Sequence, residues 1–200
     1  MPLMARAQEA VAETIRLQQQ FWQEEGAAVV AAARMLAESL RAGARIFIFG
    51  NGGSAADAQH LAAEFVNRFQ VERPPLGALA LTTDTSILTA VANDYDFNEV
   101  FTKQLRAWGR PGDVAWGIST SGGSPNVVRG LQTARELGLQ TLALCGREGG
   151  EVARAADLAL IVRSRNTPRV QEVHITIGHI LCDLVDFQLY PEKFGPQGGG

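Results

Sequence analysis

Residues 45–66 read RIFIFGNGGSAADAQHLAAEFV. The first six are a short β-rich run that ends in glycine, and a helical pattern fills residues 54–69. Between them, Asn51-Gly52-Gly53-Ser54 has the composition of a loop that lets a ligand touch backbone. The order run, glycine loop, helix is one unit of an alternating α/β chain, and it recurs downstream. LGALAL at 76–81, DVAWGIS at 113–119, QTLALCG at 140–146 and LALIVR at 158–163 are four more strand candidates. Helical segments near 85–108, 124–137 and 149–155 separate them, and an apolar-striped helix over 168–190 closes the domain. Short apolar runs alternating with helices predict an α/β fold, a three-layer sandwich with a five-stranded parallel sheet flanked by helices.

Upstream, residues 4–42 contain no proline and one glycine, with many Ala, Gln, Glu and Arg, a helix-forming composition. Gly26 is expected to mark a joint between two helices. Val11, Ile15 and Trp22 recur at near-helical spacing and form an apolar stripe that suits a partner subunit or the chain's own domain. The expected organisation is an N-terminal helical arm at 1–42 for oligomerisation, a domain at 43–192 and a disordered tail at 193–200.

The 200 residues carry a net charge of −3, with 46% hydrophobic and 20% charged residues, ordinary values for one globular domain. The slightly acidic balance argues against a nucleic-acid surface. No apolar run approaches the roughly 20 residues that cross a bilayer, and the first 20 residues have no secretory leader pattern. Cys145 and Cys182 lie in apolar runs and read as buried thiols of a reducing compartment. A soluble, cytoplasmic protein with no nucleic-acid and no membrane partner is expected.

In an open parallel sheet, ligands bind beyond the carboxyl ends of the strands, where strand order reverses. Two strand ends carry unusual loops: GNGGSA after the first strand and ISTSGGSPNVV after the third. The second packs Ser119, Thr120, Ser121 and Ser124 around two glycines, just before a helix with Ser124 at its cap and Pro125 at its first position. Hydroxyls, free N–H groups and a helix N-terminus suit a phosphate, although a plain glycine turn with a serine cap has the same composition. Neither loop is a Walker or a dinucleotide-binding motif. Two such loops suggest a small phosphorylated ligand across the crevice.

The chain has three histidines. His60 and Glu64 share a helix face at i,i+4, either as a metal-binding pair for a zinc-like ion or as a surface ion pair. Gln171, His174 and His179 sit among aliphatics in the last helix. Gln171 and His179 stand about 12 Å apart along a straight helix. Both reach one ion only by leaning inward or from separate chains, and His174 reads as structural.

Four stretches, GNGGSAADAQHLAAEF, AVANDYDFNEVF, GISTSGGSPNVV and RVQEVHITIGHI, match in order and spacing those of the sugar isomerase (SIS) family. The sequence resembles most closely its phosphoheptose isomerase branch, over residues 45–185. The resemblance implies the SIS fold and conversion of sedoheptulose 7-phosphate to D-glycero-D-manno-heptose 7-phosphate, a heptose precursor of lipopolysaccharide and other surface polysaccharide. It implies Glu64 and His179 as the catalytic acid–base pair, and zinc, one per subunit, on His60, Glu64, Gln171 and His179. Substrate contacts would be Asn51, Gly52, Gly53, Glu64, Asn93, Asp94 and Gln171, with Ser119, Thr120, Ser121 and Ser124 cradling the phosphate. It also implies a homo-oligomer, a tetramer with sites at subunit interfaces. Asp94 would be a second candidate base, although NDYDFN equally suits a turn between helices. NRFQVERPPL and CDLVDFQLYP are similar to a non-catalytic branch that binds the replication initiator DnaA. That branch, the alternative reading, is expected to lack the carboxylate and imidazole present here at Glu64 and His179.

Overall fold

The computed structural model describes residues 2–195. In chain order the elements are α1 (Leu3–Arg41), β1 (Ile46–Gly50), α2 (Gly53–Val66), β2 (Ala78–Ala80), α3 (Thr85–Asp94), α4 (Val100–Trp108) and β3 (Val114–Ser119). They continue with α5 (Pro125–Glu136), β4 (Gln140–Gly146), α6 (Gly150–Ala155), β5 (Leu158–Val162) and α7 (Thr167–Leu189). Short 3₁₀ turns cover Phe97–Glu99 and Pro191–Phe194.

The five strands form one parallel sheet in the order β2-β1-β3-β4-β5. Because successive side chains of a strand point to opposite faces, IFIFG in β1 serves two cores at once. Ile46 and Ile48 pack with α1, α2 and α7 on one face. Phe47 and Phe49 pack with residues of α4, α5 and α6 on the other. Trp116 and Ala115 of β3, and Leu144 and Cys145 of β4, divide in the same way. Both cysteines are buried free thiols, and burial pushes the Cys145 thiol up to about 12.

The expected joint at Gly26 is absent, and α1 runs through it as one helix of 39 residues. A helical glycine costs about 1 kcal/mol relative to alanine. A continuous buried face on both sides of it, with Leu17 and Phe21 before and Val29, Ala33, Leu36 and Leu40 after, offsets that cost. This face packs in one buried cluster with β1, α2 and α7. Val11 and Ile15 of the expected stripe stay exposed, and Trp22 is partly buried against the core. At the other end, residues 193 and 194 of the expected tail complete the last 3₁₀ turn, and residues 196–200 lie outside the described residues. No helix among the described residues is long and apolar enough to cross a membrane.

Candidate active site at the sheet's switch point

The chain leaves β1 for β2 on one side and returns to β3 on the other, so strand order reverses between β1 and β3. The glycine loop follows β1 and the serine loop follows β3, which places both at the crevice where open α/β sheets bind ligands. A pair of amides joins them: Asn51 Nδ2 donates to Asn126 Oδ1 at 2.9 Å, and Asn126 Nδ2 donates back to Asn51 Oδ1 at 2.9 Å. Asn126 is a site residue that motif reading missed. Its signal was its place, directly after Ser124-Pro125 at the start of a helix.

Gly52 holds a φ of 56°, a left-handed value that suits glycine. Gly53 opens α2 with the Gln171 side-chain amide so close that any Cβ there would collide with it. Beside the loop lies a cavity of about 130 Å³ lined by Gly50, Asn51, Gly52, Thr82, Leu88 and Phe97 among others. Asn93 and Asp94 stand exposed at the end of α3, with Asn93 Nδ2 donating to Asp94 Oδ1 at 2.8 Å. Neither lines that cavity.

In the serine loop, Ser119 is buried and its hydroxyl lies 2.8 Å from that of Ser124 and 3.4 Å from that of Ser121. Ser121 Oγ also accepts from the Gly123 N–H at 3.2 Å. Ser124 does occupy the cap position of α5 with Pro125 at its first turn, but its side chain makes no capping hydrogen bond. The hydroxyl turns toward Ser119 instead. The loop thus gathers three hydroxyls beside a helix start without a side-chain cap, a donor-rich arrangement for an anion. Thr120 is half-buried within the same loop.

The ionisable groups gather between α2 and α7. His60 Nε2 and His179 Nε2 stand 2.8 Å apart, and Glu64 Oε1 lies 3.5 Å from His60 Nε2. The i,i+4 pair of the sequence is therefore a trio, with its third member 119 residues away. Phe69 stacks on the His179 ring with centroids 5.4 Å apart. Burial, and then the neighbouring His60, hold His179 below the usual imidazole range, with Glu64 offsetting part of the effect. The structure places the Gln171 amide over Gly53, in the first turn of α2, while His179 meets His60 two turns further on. Among the described residues, no group of three or more His, Cys, Asp and Glu side chains is arranged so that it could hold a metal ion. His60, Glu64 and His179 bring two imidazole nitrogens and a carboxylate side by side.

His174 is fully buried, and neither ring nitrogen has a hydrogen-bond partner of full geometry. Burial pushes it down to about 4, offset only in part by the adjacent Cys145 backbone. Sequence reading also missed Asp57, three residues before His60 on α2. One of its carboxylate oxygens is buried without a partner, and burial raises the group to about 6 against the opposing effect of His60.

The SIS-domain family model matches residues 11–146 of the chain. Over 182 residues the chain is 57% identical to a phosphoheptose isomerase of Nitratidesulfovibrio vulgaris, covering 91% of this chain and 88% of that protein. It is 48% identical over 190 residues to a phosphoheptose isomerase of Thermodesulfovibrio yellowstonii, covering 95% and 94%. Among solved structures, phosphoheptose isomerase GmhA from Neisseria gonorrhoeae superposes with a TM-score of 0.87 at 45% identity, over 92% of this chain and 98% of that one. A phosphoheptose isomerase from Francisella tularensis gives a TM-score of 0.87 at 32% identity, over 93% and 99%.

Proposed function

The chain belongs to the SIS-domain family and, within it, to the phosphoheptose isomerases, and from that premise we propose that its switch-point crevice converts sedoheptulose 7-phosphate to D-glycero-D-manno-heptose 7-phosphate. The observation that carries the reading is the meeting of His60 and Glu64, on the helix that the glycine loop opens, with His179 of α7. Glu64 and His179 are the pair that the initiator-binding branch is expected to lack.

The reaction moves a proton between C1 and C2 through a cis-enediol, with a matching proton shift between O1 and O2. It needs a base at carbon, an acid–base group at oxygen and donors for the enediolate charge. Glu64 would act at carbon. His179, whose proton affinity burial and then His60 lower, would pass the proton between the two oxygens. The hydroxyls of Ser119, Ser121 and Ser124 would hold the distant phosphate and so fix C1 and C2 in place. Asn51, Gly52, Gly53, Thr120, Asn93 and Asp94 complete the proposed contacts.

The proposal extends to one zinc ion per subunit, held by His60, Glu64, Gln171 and His179. Two imidazole nitrogens and a carboxylate on facing helices are a donor set that zinc favours, and Gln171 would join them by swinging away from Gly53. Bound there, zinc would polarise the substrate carbonyl. Metal analysis of purified protein is expected to find zinc that His60→Ala loses, and equal zinc in both proteins would rule this ligand set out. A cytoplasmic homotetramer supplying surface-polysaccharide heptose is the corresponding biological reading. The exposed apolar Val11 and Ile15 of α1 support subunit contact, and light scattering of the eluting protein measures the mass.

The deciding experiment incubates the protein with sedoheptulose 7-phosphate in deuterated water and follows the sugar by proton NMR. New aldose signals with solvent deuterium at carbon are expected. A folded sample that gives no product, with or without zinc, would reject the enzyme, and capture of the replication initiator would then become the test.

A further inference from the structure

Arg73 and Asp186 form a fully buried ion pair, their side chains 0% and 1% exposed, with Arg73 Nε donating to Asp186 Oδ1 at 2.8 Å. The rest of the guanidinium reads backbone. Nη2 donates to the Glu64 carbonyl at 2.9 Å, and Nη1 donates to the Phe65 carbonyl at 2.8 Å, with Asn67 and Pro74 carbonyls at 3.3 and 3.2 Å. Glu64 and Phe65 belong to the last turn of α2, whose carbonyls have no partner within the helix. Asp186 lies on α7, seven residues beyond His179, close to two turns and so on nearly the same helix face.

One planar group therefore bonds the backbone of the residue assigned to carbon and the helix of the residue assigned to oxygen. A buried ion pair is a weak stabiliser, because desolvation offsets most of its attraction and apolar pairs fold as well. Its fixed fork geometry, which lysine cannot reproduce, is better suited to setting the register of two helices. We propose that Arg73 is a positioning residue for isomerisation, holding the Glu64 end of α2 at a set distance and angle from His179 through Asp186. The inference rests on the isomerase reading above.

The test compares wild type, Arg73→Lys and the double variant Arg73→Met/Asp186→Leu, which removes both charges together. Steady-state turnover of sedoheptulose 7-phosphate is read beside circular dichroism and the ring NMR signals of the three histidines. In folded variants kcat is expected to fall about 10- to 100-fold, the effect of an ångström-scale misplacement. KM should stay within about threefold, because the two loops are untouched. The ring signals of His60 and His179 should shift, with that of His174 as the internal reference. A folded variant with kcat within about twofold of wild type and unshifted rings would overturn the proposal. So would a raised KM with kcat held, or loss of folding in both variants, which would assign the pair to stability. An inactive wild type in the same assay would instead remove the isomerase reading itself.

Discussion

The two halves of the crevice are built in opposite ways. The loop half consists of two contiguous stretches, 50–54 and 119–126, that turn off adjacent strands and offer hydroxyls and backbone. The helical half is made of side chains from α2 and α7 that meet across 119 residues of sequence. A loop at a strand end is put in place by the sheet. Side chains on two helices are put in place only if the helices keep register, and here Arg73, Asp186 and the buried face of α7 supply it. The loop half should therefore govern how well substrate is held, and the helical half how fast it reacts.

Substitutions can break this division, beginning with the largest effect. Glu64→Gln is expected to lower kcat by at least about 10²–10⁴-fold, the contribution of a general base, while calorimetry still detects sugar-phosphate binding. Undiminished turnover would take Glu64 out of its role. A second change probes the core beneath the helical half. With His174 held near 4 in the folded state and 6.5 as its ordinary value, the unfolded chain binds the additional proton between those limits. Stability should then be fully present above pH 6.5 and fall as the pH drops toward 4, by about 3 kcal/mol. His174→Leu should flatten this acid slope in melting experiments, and an unchanged slope would mean that the buried ring is not its source. The smallest effect is expected in the loop half, where Ser121→Ala should weaken substrate binding by roughly 0.5–1.5 kcal/mol with little change in kcat. Slower chemistry at saturation with KM unchanged would reverse the assignment of the two halves.

The same division explains what the sequence disclosed. Strands such as IFIFG and QTLALCG, and the loops that follow β1 and β3, are local patterns, and each appears where its residues predict it. The helical pair His60 and Glu64 was also legible, because an i,i+4 step places both on one face. The contacts of Arg73 with Asp186 and of Asn51 with Asn126 were not, since each joins residues more than 70 positions apart and neither has a spacing to betray it. Gly26 misled for a related reason. Local propensity marks it as a break, while the buried face on both sides, a tertiary effect, carries the helix across. Gln171 lies about two turns of α7 before His179, and its amide rests against Gly53, a contact that no local pattern in the sequence marks.

The reciprocal bonds of Asn51 and Asn126 also bear on the entropy of ligand capture. Each amide gives one hydrogen bond and receives one, so the glycine loop and the serine loop are tied to each other during folding. Loops without that tie would have to be ordered by the incoming ligand, at about 0.5–1.5 kcal/mol for each side chain immobilised. Here part of that ordering precedes the encounter, because the two loops already hold each other before a sugar phosphate arrives.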